Sequence, residues 1–311
     1  MKVQPIYNSK ILKKGLEFAA NNSALFAGTV SLALSTVARP LVIMGTPNTD
    51  SQNKKYACTK SLASTAIGYV LMLVASTPVA NAIKKIDENP AEYLKKSTIK
   101  NLQAGEKTLS KSKKYKFATQ LFKLGLGFAI AVPKSFMTCA LIPPFMSKIF
   151  PEKDKKAKKE ISFTGRLSKG IGQIINTKTV QKLAEKFKDT KYEQHIMCLT
   201  DTVATGAFIT QTAKSKKIEQ DRKKALMYNA AISTTLCIAS SYLIDRILDK
   251  PTEKFINNFK KANINSPKLD KYIEGIKVSK PALILGSIYY IAIPLISTFL
   301  SDKFDKQNKK S

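Results

Sequence analysis

The chain has 311 residues, room for one large domain or two of ordinary size. A formal net charge of +30 alongside 44% hydrophobic residues excludes a disordered chain, because so much Leu, Ile, Val, Ala and Phe can bury a core. Four cysteines scattered over the length exclude a disulfide framework.

The mean hydropathy of −0.14 averages strongly apolar blocks with lysine-dense connectors. In chain order, residues 8–20 read as a short basic amphipathic helix. Residues 18–38 then carry no charge until Arg39-Pro40, and the apolar run resumes over 41–45. Residues 61–83 are uncharged, behind a Lys54-Lys55 connector. A polar stretch opens at Pro90 with Glu92 two residues on, a helix-start signal. Residues 124–150 are apolar around a central Lys134. The lysine-rich stretch 148–169 reads as a solvated linker. A second basic amphipathic helix follows at 176–190, and 195–213 is apolar around Asp201. Residues 225–244 and 281–301 are uncharged, separated by a polar stretch that opens at Pro251.

A bilayer is crossed by a helix of about 20 predominantly apolar residues, and four of these blocks are that long without a charge. A soluble amphipathic helix shows a polar face every 3.6 residues; residues 282–300 show none. The expected fold is all-α: a polytopic helical membrane protein. Residues 22–38, ending Ser35-Thr36-Val37-Ala38, resemble a secretory signal, but the same element recurs internally, so a retained first helix is expected.

The chain also matches itself. Asn8-Ser9-Lys10 recurs as Asn176-Thr177-Lys178, Lys54-Lys55 as Lys223-Lys224, Ser64-Thr65 as Ser233-Thr234, and Ile142-Pro143 as Ile293-Pro294. The shared order predicts two tandem repeats, each of about three apolar helices plus basic amphipathic helices. The expected organisation is a first membrane repeat over 1–150, a linker over 151–170 and a second repeat over 171–311. Three crossings per half would turn the second half over in the membrane, the inverted plan of many secondary transporters. With loops alternating on that basis, Lys and Arg divide 24 to 25 between the two sides. The positive-inside rule then gives no orientation. Six spans and four spans both remain open.

Charges inside apolar segments are the candidate functional groups, since each costs at least about 2.5–3.5 kcal/mol at the bilayer centre. They are Arg39, Lys134 and Asp201. Arg39 and Asp201 lie on equivalent helices of the two halves, which suggests an intramembrane pair; the competing reading has Arg39 and Lys134 snorkelling to headgroups. Two basic amphipathic stretches offer anionic-lipid contacts: Lys95, Lys96 and Lys100 in the first half, and Lys254, Lys260 and Lys261 in the second. Chemistry has little support. His195 is the one histidine, the cysteines lack ligand spacing, and no nucleophile elbow, phosphate loop or dinucleotide fingerprint occurs. No catalytic, metal or cofactor residue is expected.

Three functions compete on this basis. A non-enzymatic scaffold or interaction protein in a cell inner or plasma membrane, with basic loops toward anionic lipid, needs no site. An inverted-repeat transporter or channel-like protein gains from the parity argument. A soluble basic protein binding nucleic acid is opposed by the 21-residue uncharged run, and by an excess that is lysine. Only Arg39, Arg166, Arg222 and Arg246 carry the guanidinium fork suited to base edges.

Overall fold

The computed structural model describes residues 4–45, 51–147, 164–215 and 220–296; among them every regular element is helical. A short turn, α1 (Gln4–Tyr7), precedes α2 (Lys10–Asn21) and α3 (Ser23–Ala33). A π-helical turn over Leu34–Ala38 leads from α3 into α4 (Arg39–Met44). Then come α5 (Ser51–Glu88), α6 (Pro90–Tyr93), α7 (Lys96–Gln103) and α8 (Lys113–Ser147). The second half holds α9 (Thr164–Ile175), α10 (Lys178–Phe187), α11 (Tyr192–Lys214), α12 (Gln220–Ile247), α13 (Asp249–Ala262) and α14 (Leu269–Ser287). A second π-helical turn, Ile288–Ala292, extends α14.

Local sequence explains the element starts. Ser9 caps α2, its hydroxyl accepting the Leu12 N–H, and Thr177 caps α10 in the same way through Val180. The amphipathic stretch that opens at Pro90 forms two helices, because Leu94 and Lys95 are extended between α6 and α7. Asn176 holds the break open, accepting the Lys95 N–H at 3.0 Å and donating to the Tyr93 carbonyl at 3.1 Å. Helix α9 begins inside the stretch expected as linker. Leu167, Ile171 and Ile175 recur at four-residue spacing and pack into the core. The remainder of that linker, 151–163, lies outside the described residues.

The helix directions follow from paired contacts. Helices α8 and α11 meet in rising order: Phe117 with Tyr192 (ring centroids 5.1 Å apart), Gly127 with Thr200, and the Ser135 hydroxyl with the Ala204 carbonyl at 3.4 Å. The α2–α4 segment and α14 do the same, through Leu16 with Gly275, Val30 and Leu34 with Gly286, and Arg39 with Tyr289. Helix α5 runs against α8, with Asp87 bonded to Tyr115 and Gly68 against Lys134. Helix α12 runs against α11, pairing Gln194 with Ser241 and Thr205 with Thr234. The starts of α3, α8, α11 and α14 therefore share one end of the bundle with the ends of α5 and α12. The inverted arrangement expected from three crossings per half is not found; both halves point the same way.

The two ends differ in packing. At the end where α8 and α11 start, a core of Ile83, Ile86, Leu102, Phe117, Ile175 and Val180 is closed by the amphipathic helices α7, α9 and α10. Leu16, Phe259, Tyr272 and Ile276 form a smaller core there under α2 and α13. The opposite half leaves large apolar side chains uncovered: Leu41 is 70% exposed, Val70 57%, Phe136 62% and Ile232 56%. Four helices are long and apolar enough to cross a membrane, Ser23–Met44, Ser61–Glu88, Lys113–Thr138 and Leu269–Ile296. A fifth arises if Leu226–Ile247 and the bent continuation through α13 count as one span.

Candidate functional site

Of the three charges singled out in the apolar blocks, Arg39 packs on the second π-helical turn, and Lys134 and Asp201 lie within electrostatic reach of it. Such turns insert an extra residue into the helical ladder and recur at functional positions. The Arg39 guanidinium carbon sits 5.7 Å from the Tyr289 ring centroid and 5.9 Å from that of Tyr290, within cation–π range. The two tyrosine rings are edge-on at 5.0 Å. Arg39, Lys134 and Asp201 all lie within electrostatic reach of Tyr289, and Lys134 is the charge that acts on Asp201. The Lys134 stem crosses Gly68 of α5 so closely that a methyl group there would stand 2.8 Å from its Cε. Tyr290 is within hydrogen-bonding reach of Thr65 and Ser31.

Arg39 and Asp201 thus share a neighbourhood, but no ion pair joins them among the described residues. The partner of Arg39 is the tyrosine pair, and its Nε is buried without a hydrogen-bond acceptor. The Arg39 and Lys134 side chains are half-buried, and Asp201 is exposed.

A second polar group lies deeper and was not expected from the sequence. The Ser23 hydroxyl donates to Gln120 Oε1 at 2.7 Å, and Gln120 Nε2 donates to Glu274 Oε1 at 2.6 Å and to the Ala20 carbonyl at 3.2 Å. Lys123 donates to that same carbonyl at 2.8 Å and stands 3.8 Å from Glu274. Both side chains are buried, at 5% and 8% exposure. This junction ties α2, α3, α8 and α14 at the point where the two halves meet. Lys123 immediately precedes the apolar run at Leu124 and so read as its flank; Glu274 sat in a polar stretch seven residues ahead of Pro281.

The remaining titratable clusters look structural. Lys191 bridges Asp245 at 2.5 Å and Asp249 at 2.6 Å, and Lys280 bridges the same two at 2.7 and 2.8 Å. Partial burial works against ionising Asp249, but the bonds from Lys191 and Lys280 outweigh it and hold its carboxyl below the usual aspartate range. Lys114 and Lys188 likewise hold Glu185 low, and Lys113 holds Asp189 low. His195 bonds Tyr242 at 2.8 Å and Cys198 faces Ser241 at 3.7 Å. No group of three metal-ligating side chains occurs among the described residues.

The six lysines expected to meet anionic lipid are all exposed. They lie on α7 and α13 and on the Lys95 lead into α7, at the end where α8 and α14 begin. Lys96 and Lys100 flank a shallow open concavity with Ile99, Gln103 and Glu106. Searches with known families, curated proteins and solved structures gave no match to this chain.

Proposed function

We propose that the chain is an integral membrane protein built from two tandem repeats, and that it serves as a non-enzymatic scaffold whose basic end lies on an anionic membrane surface. The observation that carries this reading is the uncovered apolar half of the bundle. Soluble proteins rarely leave contiguous apolar patches beyond a few hundred Å² in contact with water. Here Leu41, Val70, Phe136 and Ile232, on α4, α5, α8 and α12, are all more than half exposed.

The duplication is supported by matching packing. Helix α2 lies on α14 while α10 lies on α8, and both begin at a hydroxyl cap. Lys123 and Glu274, which pair with each other, each stand nineteen residues before an Ile-Pro step.

Among the described residues, twenty-eight basic side chains fall within 4–22, 84–123, 176–194 and 245–280, a density suited to an anionic membrane surface. The helices proposed to cross are Ser23–Met44, Ser61–Glu88, Lys113–Thr138 and Leu269–Ile296.

Alkaline carbonate extraction followed by detergent titration tests the reading. The chain is expected to stay with the membrane pellet and to be monodisperse only with detergent. Release into the carbonate supernatant, and a monodisperse chain in plain buffer, would overturn it.

A further inference from the structure

We propose that Arg39, Lys134 and the Tyr289–Tyr290 turn form a binding site for a phosphate-bearing anion, at the contact between the first-half helices α4, α5 and α8 and the second-half helices α11 and α14. The cluster holds two cations and one carboxylate, so one positive charge is uncompensated in the apolar half of the bundle. Charges in such surroundings are costly and mark ligand or ion positions. Arg39 Nε is buried with no acceptor, and a buried donor left unpaired costs about 1–3 kcal/mol. An acceptor supplied from outside the chain removes that cost.

The geometry selects an oxyanion. The guanidinium lies against Tyr289 and Tyr290, which fixes its plane and leaves its planar fork to bind two oxygens at once. Lys134 crosses Gly68, where the missing side chain makes room for its stem, and lies within electrostatic reach of Tyr289. It makes no hydrogen bond among the described residues and adds a point charge. Tyr289 is 38% exposed and Asp201 is exposed, so the place is open to a ligand. Asp201 sits beside Lys134 and keeps the empty site from carrying two bare cations. Two sources offer this chemistry: an anionic lipid headgroup and free inorganic phosphate.

The test is thermal unfolding of the full chain in neutral detergent, followed by far-ultraviolet circular dichroism. One arm adds inorganic phosphate and another adds phosphatidylglycerol, each against chloride at matched ionic strength. The midpoint of the wild-type chain is expected to rise by several degrees in at least one arm. A rise with phosphate identifies a dissolved anion, and a rise with phosphatidylglycerol alone identifies a headgroup. Arg39→Gln and Lys134→Gln are each expected to raise the ligand concentration needed for half the shift at least tenfold. Arg39→Lys retains charge without the fork and is expected to fall between them and wild type. In the phosphate arm, a triple Lys95, Lys96, Lys100→Gln variant at the basic end leaves the shift unchanged. Line broadening of the phosphorus-31 resonance by unmodified protein gives a reading that needs no variant to fold. No wild-type shift in either arm, together with no broadening, overturns the proposal. So does a full shift in Arg39→Gln, or a phosphate shift abolished by the basic-end variant.

Discussion

Replacing Lys123 and Glu274 singly and together measures the buried junction. Their charged atoms are 3.8 Å apart, with both side chains almost wholly covered. At an effective dielectric of about 20, two unit charges at that distance attract by about 4 kcal/mol. Desolvation of both offsets most of this, so the pair is worth far less than its attraction. Removing one partner is different, because it strands the other. Lys123→Met leaves a buried carboxylate with Gln120 as its one remaining partner, and Glu274→Leu leaves a buried ammonium held by the Ala20 carbonyl. Each single change is expected to destabilise by about 3–5 kcal/mol. The double change leaves no stranded charge and is expected to cost less than the worse single change, a coupling of at least about 2 kcal/mol. Unfolding in mixed micelles of rising sodium dodecyl sulfate fraction, followed by circular dichroism, supplies the three differences. Strictly additive losses would refute the reasoning, because they would mean the two charges do not share a dry environment.

Gly275→Ala is expected to lower stability by at least about 3 kcal/mol, the upper part of the overpacking range. The added methyl would overlap the Leu16 carbonyl and stand 2.7 Å from its carbon, and backbone cannot rotate away; the same unfolding assay reads it. The carboxyls of Asp249, Glu185 and Asp189 titrate below their usual values. A depressed folded value means that their stabilisation is present above an unfolded aspartate or glutamate pKa, near 4, and is lost as pH falls through the lower folded values. Amide protection factors at the α10–α11 and α12–α13 junctions, with the intrinsic pH dependence of exchange divided out, are expected to be unchanged between pH 7 and 5 and to fall below about pH 4, and a fall already near pH 6 would contradict it. Changing Lys95, Lys96, Lys100, Lys254, Lys260 and Lys261 to Gln should reduce the enrichment of spin-labelled phosphatidylglycerol around the reconstituted protein, by about 1 kcal/mol per lysine at low salt. Undiminished enrichment would show that the basic end does not meet lipid.

Local signals in the sequence carry through to the structure where they are strong. The uncharged blocks form long helices, and the Ser9 and Thr177 caps stand where the amphipathic helices begin. Arg39, Lys134 and Asp201 were legible because a charge inside an apolar run is conspicuous. Their partner was not: Tyr289 and Tyr290 look like ordinary interfacial aromatics until the π-helical turn aims them at Arg39. Lys123 and Glu274 escaped notice for a different reason. Each borders an apolar run, where a charge resembles a flank, and only the crossing of α2, α8 and α14 buries them. The shared direction of the two halves was not legible from parity, because only the tertiary contacts show that α8 runs with α11 and that the α2–α4 segment runs with α14. Helix α9 was hidden by the lysines around it, although Leu167, Ile171 and Ile175 carry a helical stripe.

Single-cysteine labelling with a membrane-impermeant maleimide in intact cells tests the central claim most directly. In a chain cleared of its own four cysteines, Lys54→Cys and Lys224→Cys are expected to label under one condition, intact or permeabilised, and Lys100→Cys and Lys260→Cys under the other. Opposite accessibility of positions 54 and 224 would contradict two halves that point the same way.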